Sequence, residues 1–121
     1  MSQTILVVDD EIRLLDVLSG VLETLGYRPL TADSGAYALE VLERETVDLV
    51  LTDLRMPGMS GIELQRKLVA NHYEIPVIFI TAFEEEGTRA QALRDGVGVL
   101  LIKPFGEEAL LNAINKALTV R

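Results

Sequence analysis

The sequence contains no cysteine and no tryptophan, and aromatic residues make up only 5% of it. Without cysteine there is no disulfide framework and no thiolate metal site, which suits a reducing environment and predicts a cytoplasmic protein. Basic residues are few, since 11 Lys and Arg stand against 19 Asp and Glu, for a formal net charge of −8. Because phosphate backbones and anionic lipid repel so acidic a chain, we expect no direct binding of nucleic acid or membranes.

Long hydrophobic runs are missing as well. No run approaches the roughly 18 residues of a membrane span. The first apolar run stops at two aspartates and is too short for the core of an export signal. The 121 residues are enough for one hydrophobic core. We therefore expect a single domain over residues 1–121, with no output domain in this chain.

The sequence does contain four short apolar runs, each followed by a polar residue. Residues 5–8 precede Asp9 and Asp10, the run beginning at 49 reaches Asp53, residues 77–80 precede Thr81, and residues 99–102 precede Lys103. Such runs are typical of strands buried on both faces of a parallel sheet. The run at Asp53 predicts a strand over 48–53. A weaker strand is predicted at 28–32, where Pro29 suits only the first positions or an edge.

Apolar residues at helical spacing separate these strands. The predicted inward positions are Ile12, Leu15, Leu18, Leu22 and Leu25 in the first helix, Ala38, Leu39 and Leu42 in the second, Leu64 and Leu68 in the third, and Leu110, Ile114, Ala117 and Leu118 in the last. Gly26 is expected to end the first helix, and Asp33 or Ser34 to cap the second. A more polar helix is predicted at 85–95.

Strict alternation of strands and helices predicts an α/β fold, a single doubly wound (βα)5 domain around a five-stranded parallel sheet. Right-handed crossovers leave few strand orders, and we adopt the known order 2-1-3-4-5, which places strands 1 and 3 side by side. Ligands of such sheets bind beyond the carboxyl ends of the strands. Asp9, Asp10, Asp53, Thr81 and Lys103 should therefore converge at one edge.

Each of these residues also has a plain structural reading. Asp10 alone is typical of a helix N-cap, and Asp53 alone of a turn. Their combination favours a charged ligand, because three carboxylates without a cation repel one another and raise at least one pKa. Mg²⁺ removes that repulsion and leaves room for phosphate oxygens, so that an aspartate can attack phosphorus. Lys103 and Thr81 would then neutralise and orient the transferred group.

These residues resemble those of the receiver domain of two-component response regulators, the CheY-like superfamily, over residues 4–118. The matching elements are Asp9-Asp10, the stretch 52–61 with sequence TDLRMPGMSG, Thr81-Ala82 and Lys103-Pro104-Phe105. The resemblance implies a flavodoxin-like fold. It also implies a phosphoacceptor function in a phosphorelay, with self-catalysed phosphoryl uptake and slow autodephosphorylation rather than turnover of a metabolite.

The resemblance also implies a role for each site residue. Asp53 would accept the phosphoryl group from a sensor histidine kinase or a phosphotransfer protein. The cofactor would be Mg²⁺, bound by Asp10, Asp53 and the backbone carbonyl of Arg55, with Asp9 helping through water. Lys103 would pair with the phosphoryl group.

The conformational response is implied in the same way. Thr81 would contact the phosphoryl group and couple it to the face formed by the fourth predicted helix, the fifth strand and the last helix. An output domain or a dimer partner would bind that face. Leu100 occupies a position that is usually aromatic, so the usual coupling of threonine to an aromatic ring is not expected.

Two other functions compete with this one. A Mg²⁺-dependent aspartyl-phosphate phosphatase would use similar Asp, Thr and Lys residues. Such enzymes resemble one another in an Asp-x-Asp motif, however, whereas here Arg55 stands two residues after Asp53. The 121 residues also leave no room for the cap domain of such enzymes. The second alternative is a receiver-like interaction module that is not phosphorylated. The presence of all five site residues favours the phosphoacceptor over both.

Overall fold

The computed structural model describes residues 2–81 and 99–119. Its strands are β1 (Thr4–Val8), β2 (Arg28–Ala32), β3 (Leu49–Asp53), β4 (Val77–Thr81) and β5 (Val99–Ile102). Its helices are α1 (Ile12–Thr24), α2 (Gly35–Arg44), α3 (Gly61–Ala70) and α4 (Glu107–Thr119). The helix predicted at 85–95 lies outside the described residues.

The five strands form one parallel sheet in the order β2-β1-β3-β4-β5, which confirms the predicted topology. Each face of the sheet carries a hydrophobic core. One core joins strand residues such as Ile5 and Leu51 to α1 and α4. The other joins Leu6 and Val50 to α2 and α3. The central strands are therefore apolar on both faces, as their continuous runs predicted.

Two helices, α1 and α3, end in the same type of turn, each at the amino end of the sheet. After α1, Tyr27 N donates to Leu22 O at 2.9 Å and Gly26 N to Glu23 O at 3.0 Å. This is a Schellman motif with Gly26 at φ 93°, which confirms Gly26 as the helix stop. After α3 the corresponding residue is His72, with φ 63°, a conformation that favours glycine.

The helix predictions hold in most positions. Ser34, rather than Asp33, caps α2, because its hydroxyl accepts from Tyr37 N at 3.1 Å. The predicted inward residues are buried or half-buried, with one exception. The inward placement of Ile12 was wrong, since this residue is 56% exposed. Ile12 is the first residue of α1, and β1 already ends at Val8. The start of the helix therefore extends past the end of this strand, which leaves the Ile12 side chain without a strand to pack against.

β2 is an edge strand and contains Pro29. Arg28 N donates to Gln3 O at 2.9 Å, so the backbone N–H and C=O of Arg28 face β1. Because this orientation alternates along a strand, the backbone groups of Leu30 and Ala32 face β1 as well. The backbone of Pro29 and Thr31 therefore points away from β1. The missing N–H of Pro29 costs no ladder hydrogen bond, in agreement with its predicted place on an edge.

Among the described helices, none combines the length and apolar character that a membrane crossing would require.

Candidate functional site

Three carboxylates meet where β1 and β3 end. Asp9 and Asp10 follow β1, Asp53 is the last residue of β3, and oxygens from the three side chains lie within 4.8 Å of one another. Asp9 is buried, Asp53 is half-buried and Asp10 is exposed. The N-cap of α1 is Glu11, so the capping role that Asp10 could have played is not used. The predicted acidic group is thus a compact cluster that reaches solvent at Asp10.

Lys103 reaches this cluster from the end of β5. Its Nζ lies 3.6 Å from Asp9 Oδ2 and 3.9 Å from Asp53 Oδ2. Its backbone N donates to the carbonyl of Thr81 at 2.8 Å, which ties it to the end of β4. Thr81 itself is buried. The peptide between Lys103 and Pro104 is cis. The carboxyl ends of four strands thus deliver the predicted residues to one edge of the sheet.

Backbone amides orient the two inner carboxylates. Glu11 N donates to Asp9 Oδ1 at 2.9 Å, and Arg55 N donates to Asp53 Oδ1 at 3.3 Å. Each bond occupies one carboxylate oxygen and leaves the other, Oδ2, on the side of Lys103. Arg55, whose carbonyl was predicted to bind metal, is therefore held beside the cluster.

Burial and mutual repulsion act on the carboxylates of this cluster. Burial raises the pKa of Asp9, and the nearby Asp53 and Asp10 add to the rise, against a backbone amide and Lys103, which lower it. Burial likewise raises the pKa of Asp53, opposed by Lys103 and by the Arg55 amide, with Asp10 adding to the rise. In the described part of the chain, Asp9 Oδ2 is buried and has no hydrogen-bond donor. Among the residues that the structure describes, three carboxylates face the single ammonium group of Lys103, which leaves this group of four side chains net negative.

This donor set fits a hard divalent cation such as Mg²⁺. All the candidate ligands are oxygens, and carboxylates supply the charge that such a cation requires. Mg²⁺ usually keeps several waters, and a bound water could donate to the buried Asp9 oxygen that lacks a donor. The residues that are present therefore fit the metal that the sequence predicted.

One residue at the site received no role from the sequence. Thr52 is fully buried, and its hydroxyl donates to the backbone carbonyl of Asp53 at 3.1 Å. The available signal was a single hydroxyl at the end of an otherwise apolar run, directly before the proposed phosphoacceptor.

Residues 5–115 match the response regulator receiver domain family. Transcriptional regulatory protein GlrR of Escherichia coli K12 is 42% identical over 114 residues, which are 94% of this chain and 26% of that protein. Phosphate regulon transcriptional regulatory protein PhoB of Pseudomonas aeruginosa is 36% identical over 120 residues, which are 98% of this chain and 52% of that protein. The chain thus spans about a quarter and about half of these two relatives.

Solved structures agree with this result. The response regulator receiver domain protein from Clostridium thermocellum matches with a TM-score of 0.89 and 32% identity, covering 98% of this chain and 95% of that one. The matched family consists of receiver domains and is not a dedicated enzyme family. The described fold, the edge where the site residues meet and these matches agree: the chain belongs to the response regulator receiver domain family.

Proposed function

We propose that this receiver domain accepts a phosphoryl group on Asp53 from a histidine kinase or a phosphotransfer protein, with Mg²⁺ as cofactor. The observation that carries the proposal is the position of Asp53, whose Oδ2 lies 3.9 Å from Lys103 Nζ inside the net negative cluster. The carboxylates of such a site attract a cation, and Lys103 provides a positive group that can contact an anion beside it. A magnesium ion and a phosphoryl group meet both needs.

Asp53 is the nucleophile in this reaction. Its Oδ1 accepts from the Arg55 amide, so Oδ2 is the oxygen left to attack phosphorus. An O–P bond forms as the P–N bond to the donor's imidazole breaks, and the bonding electrons stay on the imidazole, which takes up a proton. Lys103 neutralises charge on the transferred group, and Thr81 supplies a hydroxyl donor to it.

The metal would be held by Asp10, Asp53 and the carbonyl of Arg55, with Asp9 acting through water. When bound, Mg²⁺ offsets the charge of phosphate oxygens and aligns them for transfer. The raised pKa of Asp9 supports this assignment, because an added cation relieves the repulsion that contributes to that rise.

The consequence of phosphorylation is a change in binding rather than turnover of a substrate. Phosphoryl uptake is self-catalysed, and autodephosphorylation is slow. The responding face includes β5 and α4, and it binds an output domain or a second copy of the chain; the helix predicted at 85–95, which was assigned to the same face, lies outside the described residues. Ile102 on β5 supports this choice, since it is a large apolar side chain that is 37% exposed. The domain acts in the cytoplasm and, with a charge of −8, makes no direct contact with nucleic acid or membranes.

The test is incubation with acetyl phosphate and Mg²⁺, followed by intact-mass measurement. The wild-type chain should gain one phosphoryl group, and Asp53→Asn should gain none. Asp48→Asn is the matched control. Asp48 lies directly before β3, at the end opposite Asp53, so this variant should gain a phosphoryl group as the wild type does. A mass gain in Asp53→Asn would place the phosphorylation site elsewhere. Absence of a gain in the wild type would favour the interaction module that is not phosphorylated.

A further inference from the structure

Thr52 is a buried polar residue that the proposed chemistry does not use. It is fully buried, and its register partners on the two neighbouring strands are Val8 and Phe79. A hydroxyl in such surroundings requires a hydrogen-bond partner. The partner is the backbone carbonyl of Asp53, at 3.1 Å from Thr52 Oγ1. The hydroxyl therefore acts directly on the backbone of the proposed phosphoacceptor.

The peptide group that follows Asp53 is held from other directions as well. A Cβ atom at position 61 would overlap the Asp53 carbonyl oxygen, so Gly61 permits the start of α3 to approach this closely. Leu54 N, in the same peptide group, donates to Ile80 O at 2.9 Å, and Gly61 N donates to the carbonyl of the next peptide group, Leu54 O, at 3.0 Å. The last two bonds join backbone groups, whereas the bond from Thr52 comes from a side chain and can be removed by one substitution.

We propose that Thr52 is a positioning residue for Asp53. Its hydroxyl fixes the plane of the peptide between Asp53 and Leu54 and so keeps the carboxylate facing Lys103. Rotation of that peptide would displace the Arg55 amide, which holds Asp53 Oδ1 at 3.3 Å. A displaced carboxylate would meet phosphorus less often in the reactive geometry, and a misplacement of about 1 Å can slow such reactions by roughly 100-fold. This inference rests on the proposed function of Asp53.

A purely structural role for Thr52 makes a different prediction. If the hydroxyl mattered only for stability, phosphoryl uptake would be slowed in each variant only as far as that variant lost stability. Two substitutions separate these effects. Thr52→Val keeps the shape of the side chain and removes the donor, whereas Thr52→Ser keeps the donor and removes a buried methyl group.

The experiment measures three quantities for each variant: the rate of phosphoryl uptake from acetyl phosphate, Mg²⁺ affinity by calorimetry, and thermal unfolding. Thr52→Val should take up phosphoryl groups roughly 3–10-fold more slowly and bind Mg²⁺ more weakly, while losing no more stability than Thr52→Ser. Thr52→Ser should lose stability and keep the wild-type uptake rate. Thr4→Val is the matched control, a buried strand threonine at the opposite end of the sheet, and it should not alter uptake.

Two results would overturn the inference and leave the proposed function standing. Thr52→Val could load as fast as the wild type, or Thr52→Ser could load as slowly as Thr52→Val. A wild-type chain that takes up no phosphoryl group would be a different failure. It would refute the role of Asp53, and the positioning role would fall with it.

Discussion

The two ends of the sheet use similar residues in opposite ways. At the amino end, Asp48 Oδ2 accepts from the buried Thr4 N at 2.8 Å, and Arg28 pairs with Glu45 at 2.8 Å. At the carboxyl end, three carboxylates share one lysine, and the buried Asp9 Oδ2 has no hydrogen-bond donor among the described residues. The carboxylates named at the amino end have partners within the protein. At the carboxyl end, the described residues leave part of the carboxylate charge without a partner, which a bound cation could supply.

The largest expected difference between the ends concerns Mg²⁺ binding. Asp10→Asn removes a charged ligand and should weaken Mg²⁺ binding by at least about tenfold. Asp48→Asn makes the same chemical change at the amino end and should leave Mg²⁺ affinity unchanged. Isothermal titration calorimetry measures both. Equal affinities for Asp10→Asn and the wild type would show that the metal site is assigned to the wrong residues.

Stability should respond in the reverse order. Asp48→Ala removes the acceptor of the buried Thr4 amide and should lower the free energy of unfolding by about 1–3 kcal/mol. Asp10→Ala, without Mg²⁺, should cost little, because it removes an exposed charge from a repulsive cluster. Urea unfolding compares the two variants. If Asp10→Ala destabilised the chain as much as Asp48→Ala, the contrast between the ends would not exist.

Asp9 gives a pH-dependent form of the same contrast. Its pKa is raised by burial from an ordinary 3.8, so the folded chain holds this proton more tightly than the unfolded chain, and stability falls as pH rises through the raised pKa. Without Mg²⁺, Asp9→Asn should therefore stabilise the protein at neutral pH by on the order of 1 kcal/mol.

That gain should shrink as pH falls from the raised pKa to the ordinary value and vanish below it, where Asp9 is protonated in both states. Urea unfolding at a series of pH values would show this, and saturating Mg²⁺ should reverse the ranking of the two proteins. If the gain in the free energy of unfolding from Asp9→Asn did not change with pH, the charge of Asp9 would not be what destabilises the folded chain.

The smallest effect is expected at the amino end, at His72, which among the described residues is the one non-glycine residue with positive φ. Tyr73 N donates to Leu68 O at 2.9 Å, which closes the turn after α3 and leaves His72 at φ 63°. His72→Gly should stabilise the chain by about 0.5–1 kcal/mol, because glycine adopts this conformation without strain. Gly26→Ala, in the equivalent turn after α1, should lose a similar amount. Thermal unfolding tests both, and an unchanged midpoint for His72→Gly would show that the histidine compensates for its backbone strain.

The sequence predicted the carboxyl end better than the amino end. Apolar runs that stop at polar residues mark both a buried strand and its ligand-facing end, so the convergence of the site followed from the topology. The bond between Asp48 and Thr4 joins residues 44 positions apart and has no periodic signal. Ile12 fitted a helical period, but a period does not show where the sheet ends. Neither the backbone of His72 nor the hydrogen bond of Thr52 can be derived from residue type alone.

Pro29 has a consequence for how this domain meets other molecules. The outward-facing peptide groups of β2 belong to Pro29 and Thr31, and proline offers no N–H. A strand from another chain that aligned with this edge would therefore lack one hydrogen bond, and two copies would also repel through a charge of −8 each. The missing hydrogen bond and the charge repulsion both disfavour sheet-to-sheet aggregation at β2. The edge at β2 is therefore a poor place for a second copy of this chain to extend the sheet.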